Sequence, residues 1–236
     1  MNSPSAALTP RDRLIVALDF STQKEALRMV EALGDDITFF KIGLQLYTAA
    51  GPEVVRTIAA TGAKIFLDMK LHDIPSTVSG AVTAAGQLGV QMLTLHLSGG
   101  LKMIEAALVA KRSDLILLGA TVLTSFDEEA LHEIGIASSI EEHVQFLAEL
   151  GLGKGLDGVI ASPHEIKMLR SHFGKNIKIV TPGVRPSWSQ ADDQKRFMTP
   201  REALEADADY LVIGRPITQH KNPREAVRKI LDEISA

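Results

Sequence analysis

Eight short apolar runs, separated by longer segments of helical periodicity, leave this sequence very few folds. The runs are LIVALDF (14–20), ITFFKIG (37–43), AKIFLDMK (63–70), VQMLTLHL (90–97), LILLGATVL (115–123), DGVIAS (157–162), IKIVTPG (177–183) and DYLVIGR (209–215). They are rich in Val, Ile and Leu and nearly continuous in apolar character, which is the pattern of parallel strands buried on both faces. Between them lie amphipathic segments such as TQKEALRMVEALG, STVSGAVTAAGQLG, LKMIEAALVAKR and PREALEADA. Gly or a polar residue follows most of these, as expected at helix C-termini. Eight such units in 236 residues predict an α/β fold of one closed (β/α)8 barrel, of the TIM type. An open doubly wound sheet would more often show fewer strands and a Gly-rich first turn. No linker or low-complexity stretch marks a second domain, so residues 1–236 are expected to form a single domain with 1–11 as a short N-terminal tail.

Barrel enzymes carry their chemistry at the C-terminal ends of the strands, so a charge that interrupts an apolar run at that end is a functional candidate. Asp19 closes the first run, Lys41 lies near the end of the second, and Asp68 and Lys70 end the third. Alternate residues of a strand share a face, so Ile15, Ala17 and Asp19 point one way, and Asp68 and Lys70 share a direction. Each charge favours the ionised form of its opposite, and a Lys held protonated in such a cluster is a proton donor. The alternative is a set of polar strand ends joined in ion pairs without a catalytic part.

Further along, Pro75 suits the first turn of a helix, where its missing N–H would have been unpaired anyway. Asp73 reads as a partner of that helix's N-terminal dipole and Thr77 as an ordinary first-turn hydroxyl. Gly214 and Arg215 end the eighth run, where barrels frequently bind phosphate, and a guanidinium can grip that anion through two parallel hydrogen bonds. A surface ion pair is the competing explanation for Arg215. Arg185 and Gln194 fall in the polar segment 184–198, VRPSWSQADDQKRFM, whose length beside a strand end suggests a mobile lid.

Composition limits the possible partners. The formal charge of −4 and pI near 6.0 provide no net positive field for a polyanion, so nucleic acid is not expected. With no Cys there is no disulfide, thiolate metal site or thiol nucleophile, which fits a reducing cytoplasm. The first ten residues lack a basic and then apolar leader pattern, and no apolar stretch approaches ~18 residues, so neither export nor membrane spanning is expected. His72, His96 and His132 show no ligand spacing, and no metal is assigned; His96 reads as a residue lining the barrel mouth. The single Trp188, among polar neighbours, reads as a loop anchor.

In order and across nearly the whole chain, ALDF, FFKIG, FLDMKLHDIPSTV, TVLTS, TPGVRP and VIGRPI resemble the orotidine 5′-monophosphate decarboxylase family of the bacterial type. The most specific element is D-x-K-x-x-D-I-P-x-T, present as Asp68, Lys70, Asp73, Ile74, Pro75 and Thr77. The resemblance implies cofactor-free decarboxylation of orotidine monophosphate to uridine monophosphate by a homodimer with sites at the subunit interface. It implies that Lys70 protonates pyrimidine carbon six, that Asp68 lies beside the departing carboxylate, and that Asp19 and Lys41 hold the ribose and complete the charged array. Asp73 would be catalytic together with Lys70, Asp68 and Lys41 and would also bind substrate, as would Ile74 and Thr77, with Asp73 and Thr77 reaching into the partner subunit's site. Thr124 would bind the ring, and Arg185, Gln194, Gly214 and Arg215 the phosphate. The segment 126–152 does not align clearly. A related barrel enzyme with the same D-x-K-x-x-D core, such as a metal-using sugar-phosphate decarboxylase or hexulose-phosphate synthase, lacks the I-P-x-T continuation. A non-catalytic nucleotide-binding or scaffold barrel would have lost one or more of the four charges, and none is missing.

Overall fold

The computed structural model describes residues 8–189 and 198–235. Eight parallel strands close into a barrel in sequence order: β1 Leu14–Ala17, β2 Phe39–Gly43, β3 Lys64–Leu71, β4 Met92–His96, β5 Ile116–Ala120, β6 Gly158–Ile160, β7 Lys178–Thr181 and β8 Tyr210–Ile213. β8 pairs with β1 through Leu14, Ile15 and Val16, which removes both sheet edges. The helices are α1 Pro10–Arg13, α2 Gln23–Leu33, α3 Leu44–Ala50, α4 Pro52–Ala59, α5 Pro75–Gln87, α6 Leu101–Ala110, α7 Glu128–Glu133, α8 Ile140–Leu152, α9 Ile166–Phe173, α10 Pro200–Glu205, α11 Arg215–Thr218 and α12 Pro223–Ser235. The unaligned segment 126–152 thus holds α7 and α8.

Local chemistry sets these boundaries. Thr22, Asp127, Ser139 and Thr199 accept hydrogen bonds from the first turns of α2, α7, α8 and α10, satisfying N–H groups that have no partner within the helix. Pro75 opens α5, as its missing donor requires. The expected tail is ordered in its last part. Thr9 and Asp12 form a reciprocal cap on α1, and Arg13 donates to the Ala208 carbonyl at 3.0 Å. Leu8 packs against the apolar cluster inside the barrel. The Thr-Pro-x-Asp pattern that encodes this turn was present at 9–12 but is short enough to pass for tail.

Strand alternation divides the core in two. Leu14, Val16, Phe40, Ile42, Ile65, Leu67, Leu93, Leu95 and Leu117 point outward beneath the helices. Ile15, Phe39, Phe66, Met92, Leu118, Val180 and Tyr210 point inward and fill the barrel, with Phe39 and Tyr210 meeting edge to face at 6.1 Å. Continuing the inward parity toward the strand C-termini gives Ala17 then Asp19, Lys41, Asp68, Thr94, Ala120 and, past Val212, Gly214. The interior therefore changes within one layer from bulky apolar to charged or very small. That change creates the pocket at this end.

The observed strands stop short of most expected runs, because the last residues of those runs leave the sheet to form the rim. Leu97 begins a single helical turn, and Val122, Leu123, Pro182 and Gly183 line the pocket from loops. β3 behaves differently. Leu67 pairs with Leu93, but Leu71 pairs with Leu95, so β3 carries two extra residues in this interval. Lys70 lies within it at φ +47, a left-handed conformation unusual for a residue with a side chain.

Candidate active site

The pocket at the strand C-termini encloses about 300 Å³, the size of a small-molecule site. Asp19, Lys41, Asp68, Lys70, Thr124, Arg185, Gly214 and Arg215 all line it. Eight of the expected site residues, drawn from six different strand ends, thus converge on one cavity.

The charged residues form a continuous chain. The Lys70 Nζ donates to both oxygens of Asp68 at 2.9 Å. Lys41 Nζ stands 3.7 Å from Asp68 Oδ2 and donates to Asp19 Oδ1 at 3.2 Å. The Asp68 and Lys41 side chains are each 12% exposed, Lys70 is 30% and Asp19 54%, so the array runs from the barrel interior to its mouth. Burial pushes the Asp68 carboxyl upward, but the ammonium groups of Lys41 and Lys70 and the hydrogen bonds from Lys70 and Thr94 outweigh it and hold the group below the usual carboxylate range. Asp68 is consequently ionised at neutral pH. Asp68 and Lys70 meet as strand alternation predicts, but the broken register and the left-handed Lys70 backbone, rather than simple alternation, bring them together.

Two residues that shape the array were not singled out from the sequence. Thr94, wholly buried on β4, donates to Asp68 Oδ1 at 2.9 Å and accepts the Lys70 backbone N–H at 2.8 Å. Gly43 ends β2 where a Cβ would stand 2.9 Å from Lys41 Nζ and 3.4 Å from Asp19 Oδ1, so a side chain there would displace the ammonium. Neither had a signal of its own: Thr is common in strands and Gly at strand ends.

The opposite wall is built by loops. Arg185 follows β7 and is buried; its N–H donates to the Met198 carbonyl at 2.9 Å, and Val184 forms a bridge with Met198, so both ends of the 184–198 segment are tied together. Trp188 does not line the pocket. Its ring meets His220 edge to face at 5.5 Å, with Lys229 Nζ 5.8 Å from the ring centre, as suits a loop anchor. Gln194 lies outside the described residues.

Asp73, Ile74 and Thr77 are not brought to this pocket. They are exposed at the start of α5, where Asp73 Oδ1 accepts the Ile74 N–H and Ile74 is 64% exposed. His96 ends β4 half-buried, stacked on His72 at 5.6 Å with Nδ1 2.7 Å from Ser98 Oγ. Burial, then the positive potential of His72, Lys70 and His143, lowers its pKa and favours the neutral ring. His132 lies apart on α7. Among the described residues no helix is long and apolar enough to cross a membrane.

Comparison with known proteins places this geometry. The model of the orotidine 5′-phosphate decarboxylase / HUMPS family matches residues 12–230. An orotidine 5′-phosphate decarboxylase of Geobacter sp. (strain M21) is 47% identical over 231 residues, covering 95% of this chain and 96% of that one. One of Mannheimia succiniciproducens is 48% identical over 228 residues, covering 95% and 97%. The crystal structure of orotidine 5′-phosphate decarboxylase from Lactobacillus acidophilus superposes with a TM-score of 0.84 at 35% identity, covering 94% of this chain and 99% of that one. With the barrel, the charged array and this similarity over nearly its full length, the chain belongs to the orotidine 5′-phosphate decarboxylase / HUMPS family.

Proposed function

We propose that this protein decarboxylates orotidine 5′-monophosphate to uridine 5′-monophosphate, the last step of de novo pyrimidine nucleotide synthesis, as a cytoplasmic homodimer using neither metal nor cofactor. The observation that carries this reading is the convergence of the Asp19, Lys41, Asp68, Lys70 chain with Arg185 and Arg215 on one pocket. Such a cavity suits a substrate with an anionic phosphate at one end and a reacting carboxylate at the other.

In this mechanism the bond from pyrimidine carbon six to the carboxylate breaks, carbon dioxide leaves, and the electron pair stays on carbon six. Lys70 stabilises that charge as it develops and then transfers its Nζ proton to the carbon, later recovering one from water. The ion pairs hold the ammonium in place before substrate arrives, so little reorganisation accompanies the charge movement. The ionised Asp68 beside the substrate carboxylate adds repulsion of roughly 4 kcal/mol at 4 Å and an effective dielectric of about 20. Fully relieved, that is about three decades of rate, short of the ~8–23 kcal/mol enzymes commonly supply. That repulsion is therefore not the whole effect, and stabilisation of the carbanion adds to it. Asp19 and Lys41 hold the ribose hydroxyls, Thr124 the ring, and Arg185, Gln194, Gly214 and Arg215 the phosphate, whose binding energy is used to align and desolvate the ring.

Asp73 and Thr77 reach into the partner subunit's site, and Ile74 contributes to substrate binding. Their exposure away from their own pocket, and an apolar Ile74 side chain left on the surface beside them, support this assignment. The similarity to relatives named as decarboxylases, and the I-P-x-T continuation after Asp73, favour this reading over a metal-using sugar-phosphate enzyme. The test is the ultraviolet absorbance of orotidine monophosphate with purified protein in excess chelator. Absorbance is expected to fall at the same rate with and without chelator. Turnover that requires added divalent metal would overturn the metal-free mechanism, and no turnover under either condition would overturn the activity.

A further inference from the structure

Thr94 occupies an unusual position between the two groups on which the proposed chemistry rests. It lies on β4, wholly buried, one inward-facing position above Met92 and level with Asp68. Its hydroxyl has one hydrogen to give. Because Oγ1 accepts the Lys70 backbone N–H at 2.8 Å, that hydrogen is available to Asp68 Oδ1, 2.9 Å away. The same atom thereby holds the backbone of one residue and the carboxylate of the other.

The backbone contact matters because of where it falls. Between Leu67 and Leu71 the register with β4 breaks, so residues 68–70 have no paired residue on that strand. Lys70 also takes a left-handed conformation that a residue with a side chain adopts only when its surroundings enforce it. The Thr94 hydroxyl supplies an acceptor for the amide in this irregular stretch. Asp68 is in turn faced by Lys41 from β2 and Lys70 from β3, with Asp19 beyond Lys41, while His96 ends β4 two residues after Thr94.

We infer that Thr94 is a positioning residue for the decarboxylation: by clamping the Lys70 amide and the Asp68 carboxylate together, it fixes the direction in which the Lys70 ammonium enters the pocket. The inference rests on the proposed roles of Lys70 and Asp68. It assigns Thr94 no contact with substrate and no proton transfer.

The test compares Thr94→Val, which keeps shape and loses the hydroxyl, with Thr94→Ser, which keeps the hydroxyl and loses a methyl. Thr94→Val is expected to lower kcat about 10- to 100-fold, the scale of a hydrogen bond to a charged group. Its affinity for uridine monophosphate and its KM should stay within about threefold of the parent, since the phosphate wall is untouched. Thr94→Ser is expected to recover kcat to within about threefold, because geometry at the hydroxyl is restored. Should Val prevent folding, Thr94→Ala read against Thr94→Ser gives the same comparison. Parent kcat in the Val or Ala variant, or a Ser variant as impaired as they are, overturns the role. So does a loss in nucleotide affinity equal to the loss in kcat, which marks general structural damage. Lys70→Ala is run alongside. If it keeps parent turnover, the reading of Lys70 falls and the Thr94 role with it. If it is inactive while Thr94→Val is unimpaired, the Thr94 role alone is overturned.

Discussion

The two sides of the barrel mouth are built on different principles. On the side of β1 to β4, side chains on or directly after the strands hold one another through ion pairs and hydrogen bonds of 2.9 to 3.7 Å. On the side of β5 to β8, much of the pocket is lined by residues just after the strands, 121–125 after β5 and 182–185 after β7, with Thr124 and Arg185 among them. A charge that must meet a developing carbanion needs fixed placement, which strands and their neighbours supply. A site that must admit and release a nucleotide needs adaptable walls, which loops supply. The comparison predicts that damage to the strand side reduces turnover and damage to the loop side reduces binding.

The largest effect is expected from Lys70→Ala. Its kcat should fall more than about a thousandfold while its affinity for uridine monophosphate changes only a few-fold, because the ammonium acts mainly in the transition state. Single-turnover decay of orotidine monophosphate and calorimetric titration with the product measure the two quantities. Equal losses in both would erase the distinction between the two walls.

The next effect concerns residues that belong to neither wall of their own pocket. If Asp73 reaches the partner subunit's site, a Lys70→Ala protomer and an Asp73→Ala protomer, each almost inactive alone, complement on mixing. Half of randomly mixed dimers are hybrids with one intact site of two, so about a quarter of parent activity should return after dissociation and reassociation. Activity that stays at the level of the separate variants would place Asp73 in its own site or in none.

At the start of α11, directly after β8, Arg215→Ala should weaken uridine monophosphate binding about 10- to 100-fold, the scale of a lost bidentate contact to phosphate, and leave the affinity for uridine unchanged. An equal loss for both ligands would show that Arg215 supports the pocket rather than gripping the phosphate.

These contrasts bear on what was legible in the sequence. The strands were, because burial on both faces forces continuous apolar runs, and the charges of Asp19, Lys41, Asp68 and Lys70 stood out by interrupting them. Arg215 stood out because its chain position coincides with a general property of barrels. Thr94 was hidden, since its role exists only through the register between β3 and β4, and a β-branched Thr is what a strand selects anyway. The left-handed Lys70 was hidden for the same reason. Asp73, Ile74 and Thr77 carried a motif but no geometry, because none of them lines the pocket of its own chain. α1 escaped notice because one helical turn leaves almost no periodicity to detect.

Gly43 offers the smallest and sharpest test of the comparison. Its φ of −100 is open to any residue, so Gly43→Ala creates no backbone strain and acts only through the added methyl. That methyl would stand 2.9 Å from Lys41 Nζ, the far end of a flexible side chain, which can move aside by a few tenths of an ångström. The move stretches the contact to Asp19 or to Asp68 and loosens the array without removing any charge. Roughly tenfold lower kcat with little change in nucleotide affinity is expected, since sub-ångström misplacement of a preorganised group costs rate before it costs binding. Leu123→Ala on the loop wall removes more atoms from the same pocket and should cost less turnover, because a loop can close over the gap. If the two variants lose kcat equally, the strand side is no more rigid than the loop side, and the charged array does not depend on fixed placement.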